Sequence, residues 1–256
     1  MSTFRTQMLC AGAVALALFT SAGASAQLRI REATAMLDST DRDEVNMGLE
    51  AMAGLGSRAA RPLITRIQAG LPSALLESAL SSLAALERPE AAATFIAHLR
   101  HRRVEIRLAA LQGLVALRPR DTGPIALALN DGEPQVRGAA AIALGSLGAR
   151  AHVDRLFLAL DRRVLEAAQA IGQLARGDEL ERFFSYLGRV SFDTLTPAFQ
   201  EVFARNDVPA ATKIALIHRL GELATTGVRD YLMDLASSLP PGEIQNAAQD
   251  ASEGIQ

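Results

Sequence analysis

The chain has 256 residues, 49% apolar and 21% charged, with a formal net charge of −2. That composition is globular and holds enough apolar material for a sizeable core, and its near-neutral balance argues against a dedicated nucleic-acid binder. Aromatics are only 4% and tryptophan is absent, so alanine and leucine carry the apolar fraction, which favours packed helices over a β-sandwich.

The first expected segment is a secretory signal peptide over residues 1–26. Arg5 gives a positive start, residues 8–19 are an apolar run, and Ala24-Ser25-Ala26 is a small-x-small cleavage site before Gln27. The run is about a dozen residues, short of the roughly 20 needed to cross hydrocarbon. Cleavage between Ala26 and Gln27 would deliver residues 27–256 to the periplasm or beyond it. The single cysteine, Cys10, lies inside the run, so the mature chain has no disulfide, thiol nucleophile or thiolate ligand. No later apolar run is long enough to span a membrane.

From residue 48 onward one pattern recurs. GLEAMAGLGSRAA (48–60) is followed by Leu76, Ala79, Leu80, Leu83 and Ala84. Ile106, Ala109, Ala110, Gly113, Leu114 and Leu117 come next, then Val136, Ala139, Ala140, Ala143, Leu144 and Leu147. In the last two sets the spacing is i, i+3, i+4, i+7, i+8, i+11, one face of a helix. EAAQAIGQL (166–174) and KIALIHRLGEL (213–223) continue the series. Taking Met52, Ala84, Leu114, Leu144, Ile171 and Leu220 as markers, the steps are 32, 30, 30, 27 and 49 residues. A period near 30 is the signature of a repeat architecture.

Shorter apolar segments at 62–67, 91–99, 124–129 and 153–160 lie between these helices, so each unit is expected to be a helical hairpin. In NDGEP (130–134), Asp131 and Gly132 break the first helix. Pro134 suits the first turn of the second, where a missing N–H costs nothing. NDVPAATK (206–213) replays this turn, with Asp207 in the place of Asp131 and Lys213 in that of Arg137. The GSLG at 145–148 lacks the preceding strand and Lys-Ser/Thr pair of a phosphate loop. Its glycines instead suit close helix packing, with Gly148 as a C-cap.

These residues (Asp131, Pro134, Val136 and Arg137 at the turn, then the AAxxALGxLG run) resemble HEAT repeats, of the short HEAT-like kind first associated with phycobilisome lyases. The resemblance spans roughly residues 35–225. It implies an all-α, armadillo-like fold: a right-handed α-α superhelix, or solenoid, of about 7 helical hairpins. It also implies an extended surface for a protein partner, with a distant link to bilin lyases as an alternative.

The repeat register loosens over residues 177–206. DELERFFSYLGR (178–189) and TLTPAFQEVFAR (194–205) are amphipathic and precede the strong helix near 210–224; three helices there in place of two account for the step of 49. Phe157, Phe183, Phe184, Phe192, Phe199 and Phe203 cluster in this region and are expected to fill the core. Residues 240–256 are expected to be a polar capping tail.

No constellation assembles an acid, a base and a nucleophile, and no catalytic, cofactor or metal residue is assigned. His98, His101 and Glu105 have helical ligand spacing, but Arg100, Arg102 and Arg103 surround them and repel a cation. His152 has no carboxylate or histidine at ligand spacing, and no second histidine stands near His218. DSTDRDE (38–44) lacks the glycine and terminal glutamate of a calcium loop and is expected to be a hairpin turn with N-caps. The best non-core signal is positive charge. Arg102-Arg103 and Arg162-Arg163, each followed by valine, occupy the same hairpin turn two repeats apart, and stacked turns would make them one basic rim. The expected function is therefore an exported, non-enzymatic binding or scaffold protein whose partner is another protein. The alternatives are a lyase-like enzyme or accessory, and a peripheral binder of an anionic envelope or membrane surface; nucleic acid is not an expected partner.

Overall fold

In a computed structural model of the chain, residues 25, 27–39 and 41–255 are described. The expected leader, residues 1–26, lies outside them except for Ser25. Every regular element among the described residues is helical, apart from one isolated bridge between Leu187 and Val190. The chain divides between Arg120 and Asp121 into two compact units.

Unit 1 contains α1 (residues 27–36), α2 (Arg42–Gly54), α3 (Ala60–Ala69), α4 (Ser73–Ala85), α5 (Ala92–His98) and α6 (Val104–Leu117). The acidic 38–44 segment is a hairpin turn, as its sequence implies: Asp41 is the N-cap of α2, and its carboxylate accepts from the Asp43 N–H at 2.8 Å. Helix α2 packs on α4 and α4 on α6, each pair thus skipping the shorter helix between them. The apolar faces read from the sequence are the buried ones. Leu76, Ala79, Leu80 and Leu83 are inside in α4, as are Ile106, Ala109, Ala110, Gly113 and Leu114 in α6.

Unit 2 contains α7 (Gly123–Leu127), α8 (Pro134–Ser146), α9 (Val153–Asp161), α10 (Ala167–Leu174), α11 (Asp178–Phe184) and α12 (Phe192–Ala204). Helices α13 (Ala210–Gly221), α14 (Thr226–Ser238) and α15 (Glu243–Glu253) follow. Again the alternate helices pack on one another, α8 on α10 and α10 on α12. Pro134 is the first residue of α8, as its missing N–H allows. The far end of α8 is a Schellman motif. Gly148 is left-handed at φ 67° and its N–H donates to Gly145 O, while the Ala149 N–H donates to Leu144 O.

Helix α8 is buried on more than the face read from the sequence. Gly138, Ala141 and Gly145 are also inside. A Cβ placed on Gly145 would lie 3.1 Å from the Ala170 Cα of α10. One placed on Gly172 of α10 would lie 2.8 Å from the Ala198 Cα of α12. The small residues therefore set the backbone-to-backbone approach of consecutive long helices.

Over 177–206 the chain runs through α11 and α12. Helix α11 is only 7 residues long and an irregular stretch separates it from α12. The phenylalanines there are core except Phe192, which is half-buried. Phe157, Phe183, Phe184 and Phe199 are fully buried, and ring contacts run from Phe157 to Tyr186, on to Phe183, Phe199 and Phe192, and end at Tyr231. The polar tail is a helix: α15 packs on both α13 and α14, burying Ala248 and Ser252.

Candidate functional site

The cations at the hairpin turns are of two kinds. The first kind is structural. Arg107 of α6 donates through Nη1 to the carbonyls of His101 and Arg102, at 2.8 and 3.3 Å. Arg137 of α8 does the same to Asp131 and Gly132, at 2.9 and 3.0 Å. Lys213 of α13 donates through Nζ to Phe203 and Arg205, at 2.8 and 2.7 Å. Arg137 and Lys213 are the matched turn cations of the sequence, and Arg107 holds the same place in α6. Each reaches back from the first turn of one helix to carbonyls that close the preceding segment and have no intrahelical partner. Burial, helped by nearby Arg205, pushes the Lys213 ammonium pKa down, yet its two carbonyls keep it satisfied.

Two further arginines of this kind escape sequence reasoning. Arg150 Nη1 donates to Leu174 O at 2.7 Å and pairs with Glu179 at 2.8 Å. Arg205 Nη1 donates to Gly172 O and Ala175 O, both at 2.8 Å. Both close the C-terminal end of α10, where the helix dipole is negative. Arg205 also forks onto Asp207, which pairs with Arg176 too; Arg205 first, then Arg176, lower the Asp207 pKa to about 2. Asp131 and Asp207, matched in sequence, differ in use: Asp131 closes its own turn by accepting from the Glu133 N–H at 2.9 Å. A local signal for Arg150 and Arg205 is weak, because their acceptors lie 24 to 33 residues away.

The second kind is exposed. Arg102 and Arg103 lie on the α5–α6 turn of unit 1, and Arg162 and Arg163 on the α9–α10 turn of unit 2. Arg103 pairs with Glu105 at 3.3 Å and Arg162 donates to Asn130 Oδ1 at 2.7 Å. Among the described residues the guanidinium groups of Arg102 and Arg163 make no hydrogen bond or ion pair, and Arg163 is held outward by a left-handed backbone at φ 66°. Arg155 on α9 is likewise exposed and unpaired.

The histidines have other occupations. His98 Nδ1 is 2.7 Å from Thr94 O, and His101 Nδ1 accepts from the Arg103 N–H at 3.1 Å. Burial and the neighbouring His98 lower the His101 pKa. His152 Nε2 contacts Thr122 Oγ1 at 3.1 Å, and burial lowers its pKa as well. Among the described residues no three His, Cys, Asp or Glu side chains converge as a metal-binding group, and no helix is long and apolar enough to cross a membrane. The concavities of unit 2 are shallow clefts. One of 770 Å³ lies between α14 and α15 around Met233 and Gln249, one of 400 Å³ beside Phe203 and Tyr231, and one of 260 Å³ along α9.

No family model matches the chain, and no curated protein matches it. Among solved structures it is similar to one described as the complex of CpcE and CpcF of phycocyanin lyase from Nostoc sp. PCC7120. The identity is 19% and the TM-score 0.46, over 89% of this chain and 94% of that chain. The helices packed in alternation and the cations that close the α5–α6, α7–α8 and α12–α13 turns are seen directly in this chain.

Proposed function

We propose that the protein is an exported, non-enzymatic binding or scaffold protein of the periplasm, a right-handed α-solenoid that holds an acidic protein partner through exposed turn arginines, Arg102 and Arg103 in unit 1 and Arg162 and Arg163 in unit 2. The observation that supports this is the division of labour among the turn cations. Arg107, Arg137 and Lys213 are occupied by backbone carbonyls, whereas Arg102 on the α5–α6 turn and Arg163 on the α9–α10 turn present free guanidinium forks. Such forks match carboxylate oxygens in bidentate pairs. A repeat surface offers extended contact area rather than a reaction pocket.

The test is a quadruple replacement of these four arginines by glutamine, followed by crosslinking pull-down from envelope extracts. Thermal stability is expected to hold, since exposed charges contribute only about 0–1 kcal/mol per pair. Partner capture by the wild-type protein is expected to fade with salt, as the screening length falls to about 3 Å at 1 M. Unfolding of the variant would make the arginines structural, and capture of the same partner at low salt would move the site elsewhere. Copurification of a tetrapyrrole pigment would favour the lyase reading, and salt-sensitive retention on lipopolysaccharide the envelope-polymer reading.

A further inference from the structure

Two helices of unit 2 expose leucine at matching places. The segments Ile125-Ala126-Leu127-Ala128-Leu129 and Leu156-Phe157-Leu158-Ala159-Leu160 align residue for residue at a spacing of 31. Their inner positions behave as a core: Ile125, Leu129, Leu156 and Leu160 are buried. The central leucines are not, for Leu127 is 55% and Leu158 53% exposed. A solvent-facing helix position normally carries a polar side chain. A single exposed leucine needs no explanation, but the repeated exposure does once one of the pair, Leu158, also lines a concavity.

Leu158 lines the 260 Å³ cleft with Leu129, Asn130, Arg155, Ala159 and Arg162. Its floor is apolar and two guanidinium groups stand at its sides. The nearby acids are directed elsewhere: Asp161 accepts from the Tyr186 hydroxyl at 2.6 Å, and Asp154 pairs with Arg182 at 3.4 Å. Arg155 therefore has no counter-charge among the described residues. The volume is below the roughly 300–1,000 Å³ of small-molecule pockets and suits one or two aliphatic side chains.

We infer that this cleft on α9 is the anchor point for a protein segment in which an aliphatic residue is flanked by carboxylates. The aliphatic side chain enters against Leu129 and Leu158, and the carboxylates pair with Arg155 and Arg162. This rests on the protein-binding reading above and names the class of partner. Charge complementarity selects this occupant over a neutral apolar peptide, because Arg155 is unpaired and Arg162 is bonded only to the neutral Asn130 amide, so a neutral ligand would strip their hydration without supplying a counter-charge.

The experiment is selection of random phage-displayed peptides on the full-length protein, with the selected peptides then measured by fluorescence anisotropy. Enrichment of Leu, Ile or Met next to Asp or Glu is expected. Both Leu158→Ser and the double variant Arg155→Gln/Arg162→Gln should weaken the best peptide about tenfold or more, from the lost apolar contact or charge pairs. All three positions are exposed, so unchanged melting temperatures are expected and are checked first. No enrichment, or enriched peptides lacking acids, overturns the inference. So does retention on anionic phosphatidylglycerol vesicles that the arginine variant abolishes in the absence of peptide enrichment, or a self-association that Leu158→Ser abolishes. If Leu158→Ser keeps the envelope partner while the Arg102/Arg103/Arg162/Arg163 variant loses it, the rim stands and the cleft falls. If Leu158→Ser loses both peptide and partner while Arg102→Gln/Arg103→Gln keeps them, the cleft is the site.

Discussion

Lys213 shows what one side chain does at a repeat turn. It is nearly buried, and its ammonium is held by two carbonyls left over from the end of α12 and the residue after it. Lys213→Met keeps the apolar stem and removes both charge-assisted bonds, so denaturant unfolding should show a loss of about 2 kcal/mol. An unchanged midpoint would mean that water serves those carbonyls equally well. Asp207 gives a pH signature at the same turn. Its folded pKa, about 2, lies below its ordinary 3.8 because the Arg205 fork and then Arg176 favour the carboxylate. A depressed carboxylate contributes stability above its unfolded pKa and loses it as pH falls through the folded one. The window is therefore between about pH 4 and pH 2, and the effect is small because the group is half open to solvent. Asp207→Asn should flatten the acid limb of the stability curve in that window; an identical acid limb in the variant would show that the pair contributes nothing.

At the scale of helices, glycine acts through contact distance. Gly172 lets α10 lie against the α12 backbone, where a Cβ would come 2.8 Å from Ala198 Cα. Gly54, the last residue of α2, has nothing within 4 Å of its missing Cβ. Gly→Ala should thus have opposite signs at the two places. Gly54→Ala should stabilise by about 0.5 kcal/mol through reduced unfolded-state freedom. Gly172→Ala should destabilise by about 1–3 kcal/mol, because the helices must separate to admit the methyl group. Thermal melts of the two variants suffice, and stabilisation by Gly172→Ala would contradict the close approach. Ala140, fully buried in α8, belongs with Gly172: its replacement by leucine overpacks the same interface system. One face of each long helix was legible from the i, i+3, i+4, i+7 pattern. The second was not, since in α8 it is made of Gly138, Ala141 and Gly145, residues whose hydropathy does not mark them as core.

At the scale of the whole molecule, the C-terminal helix closes unit 2. Helix α15 covers α13 and α14, and Ala248, Ser252 and Ile255 are buried there. Residues of a repeat architecture touch only neighbouring elements, so damage at one end spreads locally before it becomes global. Truncation after Leu239 should therefore lower hydrogen-exchange protection in α13 and α14 while leaving α2 and α4 protected. Uniform loss of protection along the chain would mean that folding is all-or-none. The sequence marks residues 240–256 only as proline-broken and polar, because α15 buries alanine and serine rather than large apolar residues.

Helical repetition was decided by the sequence alone. Apolar spacing, the Asp-Gly-x-Pro turn and the recurring cation are local features, set by helix geometry and by the few ways a chain can turn. Tertiary structure decided which charges are spent. Arg107, Arg137, Arg150, Arg205 and Lys213 are bound to carbonyls, while Arg102, Arg155 and Arg163 stay open to solvent, and composition cannot separate the two groups. It also decided that Leu129 and Leu160 are core whereas Leu127 and Leu158 are surface. The reason is physical: hydropathy belongs to a residue, but burial and hydrogen bonding belong to its neighbours, and some of these are 24 to 33 residues away in the chain.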